Sequence, residues 1–127
     1  MKLGYTILYV EDVPRTVAFY NQAFGFDTRF LHETGDFAEL ATGTTALAFS
    51  SRRLMQTLGK SPQVPDPDHP CFEIAVVTDD VQAALERALA AGATLRQTPE
   101  EMPWGQTVAY VSDPEGFLVE ICTPVSA

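Results

Sequence analysis

The feature that most constrains this chain is an internal repeat. The amino-acid sequence runs twice through one pattern, in which an apolar β-like run is followed by an amphipathic helix and three more short β-like runs. Asp12-Val13 recurs as Asp80-Val81, and Gly25 recurs as Gly92, at spacings of 68 and 67 residues. Because such repeats mark duplicated structural units, the sequence predicts two copies of a βαβββ module.

Each predicted helix carries its own start and stop signals. Asp12 and Asp80 can accept the free N–H groups of a first helical turn, and Gly25 and Gly92 are suited to end a helix. Apolar residues recur between these signals at helical spacing. They are Val17, Tyr20, Ala23 and Phe24 in the first helix and Val81, Ala84, Leu85, Ala88 and Leu89 in the second.

The repeat predicts a single domain over residues 1–127, with modules at about 3–51 and 71–124. The linker between them, about residues 52–70, carries four prolines in its last nine residues, and a short helix fits residues 54–58. A linker of this length either only connects the modules or also acts as a lid over a site.

Composition and charge exclude several classes of function. A formal net charge of −9 opposes binding to nucleic acid. Apolar runs of strand length and an N-terminus without a long apolar stretch predict a cytoplasmic protein with no membrane partner. Cys71 and Cys122 form no disulfide framework or CxxC spacing, and no phosphate-binding loop, GxGxxG or GxSxG motif is present.

Two motifs connect the repeat to a known family. Val10-Glu11-Asp12-Val13 precedes the first helix, and SDPEGFLVEI at residues 112–121 delivers the last strand through a tight turn. Over essentially its whole length the chain resembles the vicinal oxygen chelate superfamily, which includes glyoxalase I, extradiol dioxygenases and bleomycin-resistance proteins. The resemblance implies an α+β fold in which two βαβββ modules form a cup-shaped, curved mixed β-sheet, with helices on the outside and a ligand inside.

Enzymes of that family bind a metal at the bottom of the cup through four residues, and the resemblance places these positions at Tyr5, Ala48, Glu73 and Glu120. Because Ala48 has no ligating atom and Tyr5 is a poor neutral ligand, no metal or other cofactor is expected. If one divalent ion is bound, Glu73 and Glu120 would hold it, with His69 reaching in from its loop. The other interpretation of His69, between two prolines, is an exposed loop residue.

The role of the two glutamates stays open at this stage. Strand alternation places Glu120 on the face opposite Val119 and Ile121, so it points into the cup if those residues pack against a helix. Two facing carboxylates would repel each other, which favours a proton on one of them. Glu120, Glu73 and Tyr5 are therefore the candidate catalytic residues, as a metal-free acid pair with a hydroxyl donor; a partial metal site and outward or separated glutamates are the alternatives.

Aromatic residues are candidates for the walls of the cup, although most aromatic side chains in a small domain fill its core. The predicted ligand-binding residues are Trp104, Tyr9, Phe37, Phe49 and Tyr110. Trp104 lies in the loop EEMPWGQ, where its indole either stacks on a ligand at the rim or simply packs.

Two functions follow from the resemblance. The first is a small-molecule-binding protein of the bleomycin-resistance kind, with a degenerate metal site, that sequesters a planar or cationic ligand. The alternative is a metal-dependent lyase, isomerase or dioxygenase of the glyoxalase type that acts on a small oxygenated substrate. A homodimer is predicted in either case, because open half-sheets leave apolar surface and strand edges to cover.

Overall fold

The computed structural model describes residues 1–125, and in that range it contains eight strands and three helices. They follow the chain as β1 (Tyr5–Val10), α1 (Val13–Phe24), β2 (Thr28–Leu31), β3 (Phe37–Leu40), β4 (Ala46–Ser51), α2 (Arg52–Thr57), β5 (Ile74–Val77), α3 (Val81–Ala90), β6 (Thr94–Glu101), β7 (Thr107–Ser112) and β8 (Leu118–Cys122). None of these helices is long and apolar enough to cross a membrane.

The strands form two four-stranded mixed sheets of identical topology. The strand order is β1-β4-β3-β2 in the first sheet and β5-β8-β7-β6 in the second. In each sheet the pair at one edge, β1 with β4 or β5 with β8, is parallel, and the other pairs are antiparallel. The α+β class with two βαβββ modules is confirmed.

The chain divides into two compact units. The first comprises residues 1–21 with 25–64, and the second comprises residues 22–24 with the chain from residue 65 onward. The predicted linker is divided between them, and its helix α2 begins two residues earlier than the sequence indicated.

Helix boundaries follow the capping signals. Asp12 accepts a hydrogen bond from the backbone N–H of Arg15 at 3.0 Å, and Asp80 accepts one from that of Ala83 at the same distance. Gly25 ends α1 in the left-handed conformation, with φ at 74°. The predicted starts and ends of both long helices are therefore confirmed to within two residues.

A tight turn positions β8 in the second unit. The buried Asp113 accepts hydrogen bonds from the backbone N–H groups of Glu115 at 3.0 Å and Phe117 at 2.8 Å. Gly116 completes the turn at a φ of +103°, where a Cβ atom would lie 2.8 Å from the carbonyl oxygen of Pro65. The Asp-Pro-Glu-Gly motif therefore fixes where the last strand begins, and with it the register of Glu120.

Candidate functional site

The candidate site lies on the face of the second sheet that α3 does not cover. Val119 and Ile121 of β8 are fully buried, and α3, whose Leu85 is also buried, contacts this strand, so we assign these side chains to the face that α3 covers. Strand alternation therefore turns Glu120 to the opposite face, as the sequence indicated. On that face Glu120 lies in register with Ala75 of β5 on one side and Tyr110 of β7 on the other.

One phenol hydroxyl contacts two carboxyl groups at this site. The Tyr110 hydroxyl lies 3.2 Å from Oε2 and 3.4 Å from Oε1 of Glu73, and 3.4 Å from Oε1 of Glu120. These contacts are longer than the roughly 2.5–2.7 Å of strong hydrogen bonds from a hydroxyl to a carboxylate. The structure thus brings Glu73, Glu120 and Tyr110 together. A bound ligand that donates a hydrogen bond to these groups would shorten their contacts.

The environment of Glu120 disfavours its charge. Partial burial raises the pKa of Glu120 above its ordinary value, and the nearby charge of Glu73 raises it further. The hydrogen bond from Tyr110 acts in the opposite direction but is the smaller effect. Glu120 therefore keeps its proton to higher pH than an ordinary glutamate.

The two neighbouring acidic groups remain protonated at neutral pH. Burial, followed by the charges of Glu120 and Glu73, raises the pKa of Tyr110 to about 12. Burial and the charge of Glu120 also raise the pKa of the Cys122 thiol above its ordinary value. Tyr110 is therefore a hydrogen-bond donor, and Cys122 is a neutral thiol rather than a nucleophilic thiolate.

Glu73 differs from its predicted setting. The apolar run around it, residues 72–77, is typical of a buried strand, but β5 begins one residue after Glu73, at Ile74, and Glu73 itself is exposed. The strand is also less buried than its apolar sequence suggests, since the side chain of Val77 is 63% exposed. Glu73 therefore approaches Glu120 from the open side of the sheet, and the half-buried member of the pair is Glu120.

Trp104 is an exposed residue held by one hydrogen bond. Its side chain is 61% exposed, and its indole Nε1–H donates to Oε1 of Gln106 at 2.8 Å. The amide of Gln106 donates in turn to the carbonyl oxygen of Thr123 at 2.8 Å and also interacts with Cys122, two residues from Glu120. The sequence did not predict a role for Gln106 at the site. Its position between the Pro-Trp-Gly turn and β7 is the one feature of the sequence that points to such a role.

The remaining predicted residues of the first unit divide into two groups. Tyr5 is 56% exposed at the start of β1, and Tyr9 and Phe37 are half-buried in one row across the sheet, on either side of Ser50. Phe49 is fully buried, and its ring centroid lies 5.3 Å from that of Tyr20 in α1. Phe49 is therefore a core residue rather than a ligand contact.

The family of this protein follows from a match that covers nearly the whole chain. The profile of the Glyoxalase/Bleomycin resistance protein/Dioxygenase superfamily matches residues 2–121. This chain belongs to that superfamily.

Individual members of the superfamily resemble the chain at modest identity. A protein of Vibrio cholerae serotype O1 named probable lactoylglutathione lyase is 25% identical over 123 residues, which cover 94% of this chain and 88% of that protein. A glyoxalase/bleomycin resistance protein/dioxygenase family enzyme from Burkholderia phytofirmans PsJN superposes with a TM-score of 0.80 at 27% identity, covering 99% of this chain and 100% of the other.

A third comparison shows likeness of fold alone. A glyoxalase-related enzyme from Fulvimarina pelagi superposes with a TM-score of 0.84 at 22% identity, covering 98% of this chain and 88% of that one. The fold of this superfamily member is therefore shared closely by proteins whose sequences differ at more than three positions in four.

The donor atoms of this superfamily member do not fit a divalent metal ion. Among residues 1–125 no three His, Cys, Asp or Glu side chains lie close enough together to hold one. His69 is exposed and pairs with Asp66, 3.0 Å from its Nδ1, on the same loop. The remaining donors are Glu73, Glu120 and the protonated hydroxyl of Tyr110, which leave such an ion with too few strong ligands.

Proposed function

We propose that this protein binds a planar organic cation through the carboxyl groups of Glu73 and Glu120. The observation that supports the proposal is the contact of one Tyr110 hydroxyl with both groups. Within residues 1–125, no Lys, Arg or His side chain forms an ion pair with either glutamate. A positive ligand would supply the missing opposite charge.

Trp104 is the proposed aromatic contact for the same ligand. Its indole is exposed, yet it is anchored through Gln106 to the end of β8, the strand that carries Glu120. An indole face attracts cations and stacks on planar rings. The net charge of −9 also favours the approach of a cation.

Glu120→Gln is the test of this function. We expect the variant to bind protonated 4-aminoquinoline at least about tenfold more weakly than the wild type, because a hydrogen bond to a charged group contributes about 1.5–3 kcal/mol. Isothermal titration calorimetry at neutral pH measures the affinity. Quinoline, which is planar but neutral at that pH, should show no comparable difference between the two proteins.

A matched variant separates this effect from a general loss of charge. Glu39→Gln removes one carboxylate from a half-buried position on the first sheet, where the β4 neighbour is Ala48. This variant should bind the probe like the wild type. Equal affinities of Glu120→Gln and wild-type protein for 4-aminoquinoline would exclude the proposed role of the pair.

The alternative is a metal-dependent enzyme of the glyoxalase type, acting as a lyase, isomerase or dioxygenase on a small oxygenated substrate. It is favoured by the 25% identity to a protein named probable lactoylglutathione lyase. Metal content after incubation with Ni, Co, Zn, Mn or Fe(II) and desalting distinguishes the two functions. About one equivalent of metal that is lost in Glu120→Gln would support the enzyme.

The assembly and location belong to the same proposal. We infer a homodimer, since the first sheet leaves the large apolar side chains of Tyr5, Ile7 and Phe30 substantially exposed. We propose a cytoplasmic location because the apolar runs of the sequence are only of strand length. Light scattering at micromolar concentration tests the dimer, and a monomer mass there would contradict it.

A further inference from the structure

We propose that Phe117 is a positioning residue for Glu73: its ring holds the ring of Phe72, and this contact keeps the neighbouring carboxyl group of Glu73 within reach of Tyr110. The inference rests on the proposed function and adds to it the reason why an exposed glutamate has a defined place at the site. All four residues belong to the second unit.

The backbone of Phe117 is held on both sides in the turn that precedes β8. Its N–H donates to the carboxylate of Asp113 at 2.8 Å, and its carbonyl oxygen accepts a hydrogen bond from the N–H of Asp113 at 2.9 Å. Asp113 is itself buried. The ring of Phe117 therefore extends from a fixed point of the fold.

The rings of Phe72 and Phe117 continue the pairing of β5 with β8 beyond the two strands. The first paired residues of these strands are Ile74 and Val119. Phe72 and Phe117 each lie two residues before them in the chain. Their ring centroids are 6.0 Å apart and their planes meet at 71°, which is an edge-to-face contact. The contact therefore holds in register a residue that lies outside β5.

This contact also determines the direction of Glu73. Ala75 lies on the open face of the sheet, and Glu73 precedes it by two residues, so strand alternation places both side chains on that face. The distances of 3.2 and 3.4 Å from the carboxyl oxygens of Glu73 to the Tyr110 hydroxyl agree with this placement. Phe72 points to the other face by the same alternation. A ring held there by Phe117 directs the next side chain to the site.

The loop that leads to Phe72 is attached to the sheet at two earlier points. Asp68 forms an ion pair with Arg96 of β6, and the carbonyl group of Pro65 lies against Gly116. Loss of the ring contact should therefore release only the short segment between Asp68 and β5, and the fold should persist.

The free protein provides the first test. Backbone ¹⁵N relaxation measures the order parameter of the Glu73 amide in the wild type, Phe117→Ala and Phe72→Tyr. We expect Phe117→Ala to lower it from about 0.85, the value of rigid backbone, towards about 0.6, while the amide of Ala75 within β5 keeps its value. Phe72→Tyr retains a ring and should behave like the wild type. An unchanged order parameter of Glu73 in Phe117→Ala would overturn the positioning role.

Binding provides the second test, as a double-mutant cycle with Glu73→Gln. Phe117→Ala should weaken the binding of protonated 4-aminoquinoline about three- to tenfold at neutral pH, because a carboxyl group that is free to move must be ordered by the ligand. In the Glu73→Gln background the same substitution should cause no further loss. Phe72→Ala removes the contact by truncating a side chain that is 43% exposed, and it should give the same pattern even if Phe117→Ala does not fold.

The outcomes distinguish the inference from the function on which it rests. An equal loss of affinity with and without Glu73→Gln would overturn the positioning role, because the ring would then act on the fold in general. Weaker binding in Glu73→Gln with no effect of Phe117→Ala or Phe72→Ala would also overturn it and would leave the proposed cation site standing. Absence of binding by the wild type would overturn the proposed function, and the order parameter of Glu73 would still decide whether Phe117 holds this residue.

Discussion

Replacing Glu120 by Gln should stabilise the protein at neutral and alkaline pH while weakening its proposed ligand binding. Glutamine has the shape of a protonated glutamate, and its amide can donate to Glu73 where the carboxylate cannot. The change therefore makes permanent the neutral form that burial and the charge of Glu73 favour at this position. The ionised carboxylate of Glu120 thus lowers the stability of the folded protein. Binding of a positively charged ligand would explain why an acidic residue stands at this position.

The expected gain depends on pH with a defined sign. Because the pKa of Glu120 is raised in the folded protein, the wild type has its full stability below the ordinary value of 4.5 and loses it as the pH rises through the folded pKa. Each pKa unit of difference corresponds to about 1.4 kcal/mol. The free energy of unfolding of Glu120→Gln, relative to wild type, should rise by at most about 1.4 kcal/mol per pH unit in that window. Above the window the gain should stay constant.

Urea unfolding at a series of pH values, from about 4 to 9, measures this difference. A second background isolates the contribution of the neighbouring charge, which is the second of the two main causes of the shift. In Glu73→Gln protein the pH-dependent gain from Glu120→Gln should shrink but not vanish, since burial remains. A wild type that becomes more stable relative to Glu120→Gln as the pH rises would refute the reasoning.

Three other substitutions test separate parts of the structure. Gln106→Leu should increase the mobility of the Trp104 indole, because it removes the acceptor of the indole N–H, and this should lower the fluorescence anisotropy of the chain's single tryptophan; an anisotropy equal to that of the wild type would contradict the role of this bond. Gly116→Ala should lower the free energy of unfolding by about 1–3 kcal/mol, because residue 116 has a φ of +103° and the new Cβ would meet the carbonyl oxygen of Pro65. An unchanged midpoint of urea unfolding would contradict this. Phe49→Ala should cost about 3–5 kcal/mol as a fully buried ring, and a loss below about 1 kcal/mol would contradict its place in the core.

Much of the fold could be predicted because its signals are local. Asp12 and Asp80 mark helix starts through side-chain hydrogen bonds to residues three positions away, and Gly25 marks an end through its own backbone conformation. The strands that follow are separated by turn residues within the same short segments. The repeat of these local signals was therefore enough to predict two modules of one topology.

The site was harder to predict because exposure depends on distant parts of the chain. Alternation along β4 assigns the consecutive residues Ala48 and Phe49 to opposite faces of the sheet, so only one of them can face away from α1, and the structure places Phe49 against Tyr20 of that helix. In the same way, the apolar sequence around Glu73 indicates burial, but β5 is an edge strand of its sheet and has a neighbour on one side only. Gln106 has no sequence signal beyond its loop, since its role depends on where the indole of Trp104 lies.

Two sheets of the same topology carry different chemistry at matched positions. The strand pairings place Ile7, Ala48 and Glu39 in one row of the first sheet and Ala75, Glu120 and Tyr110 in the corresponding row of the second.

Glu39 therefore has the methyl group of Ala48 beside it on β4, whereas Glu120 has the phenol of Tyr110 beside it and Glu73 within reach. In the second sheet a hydroxyl donor therefore lies within reach of two carboxyl groups. The backbone topology is thus common to both modules, and the grouping of one hydroxyl with two carboxyl groups comes from three side chains of the second module.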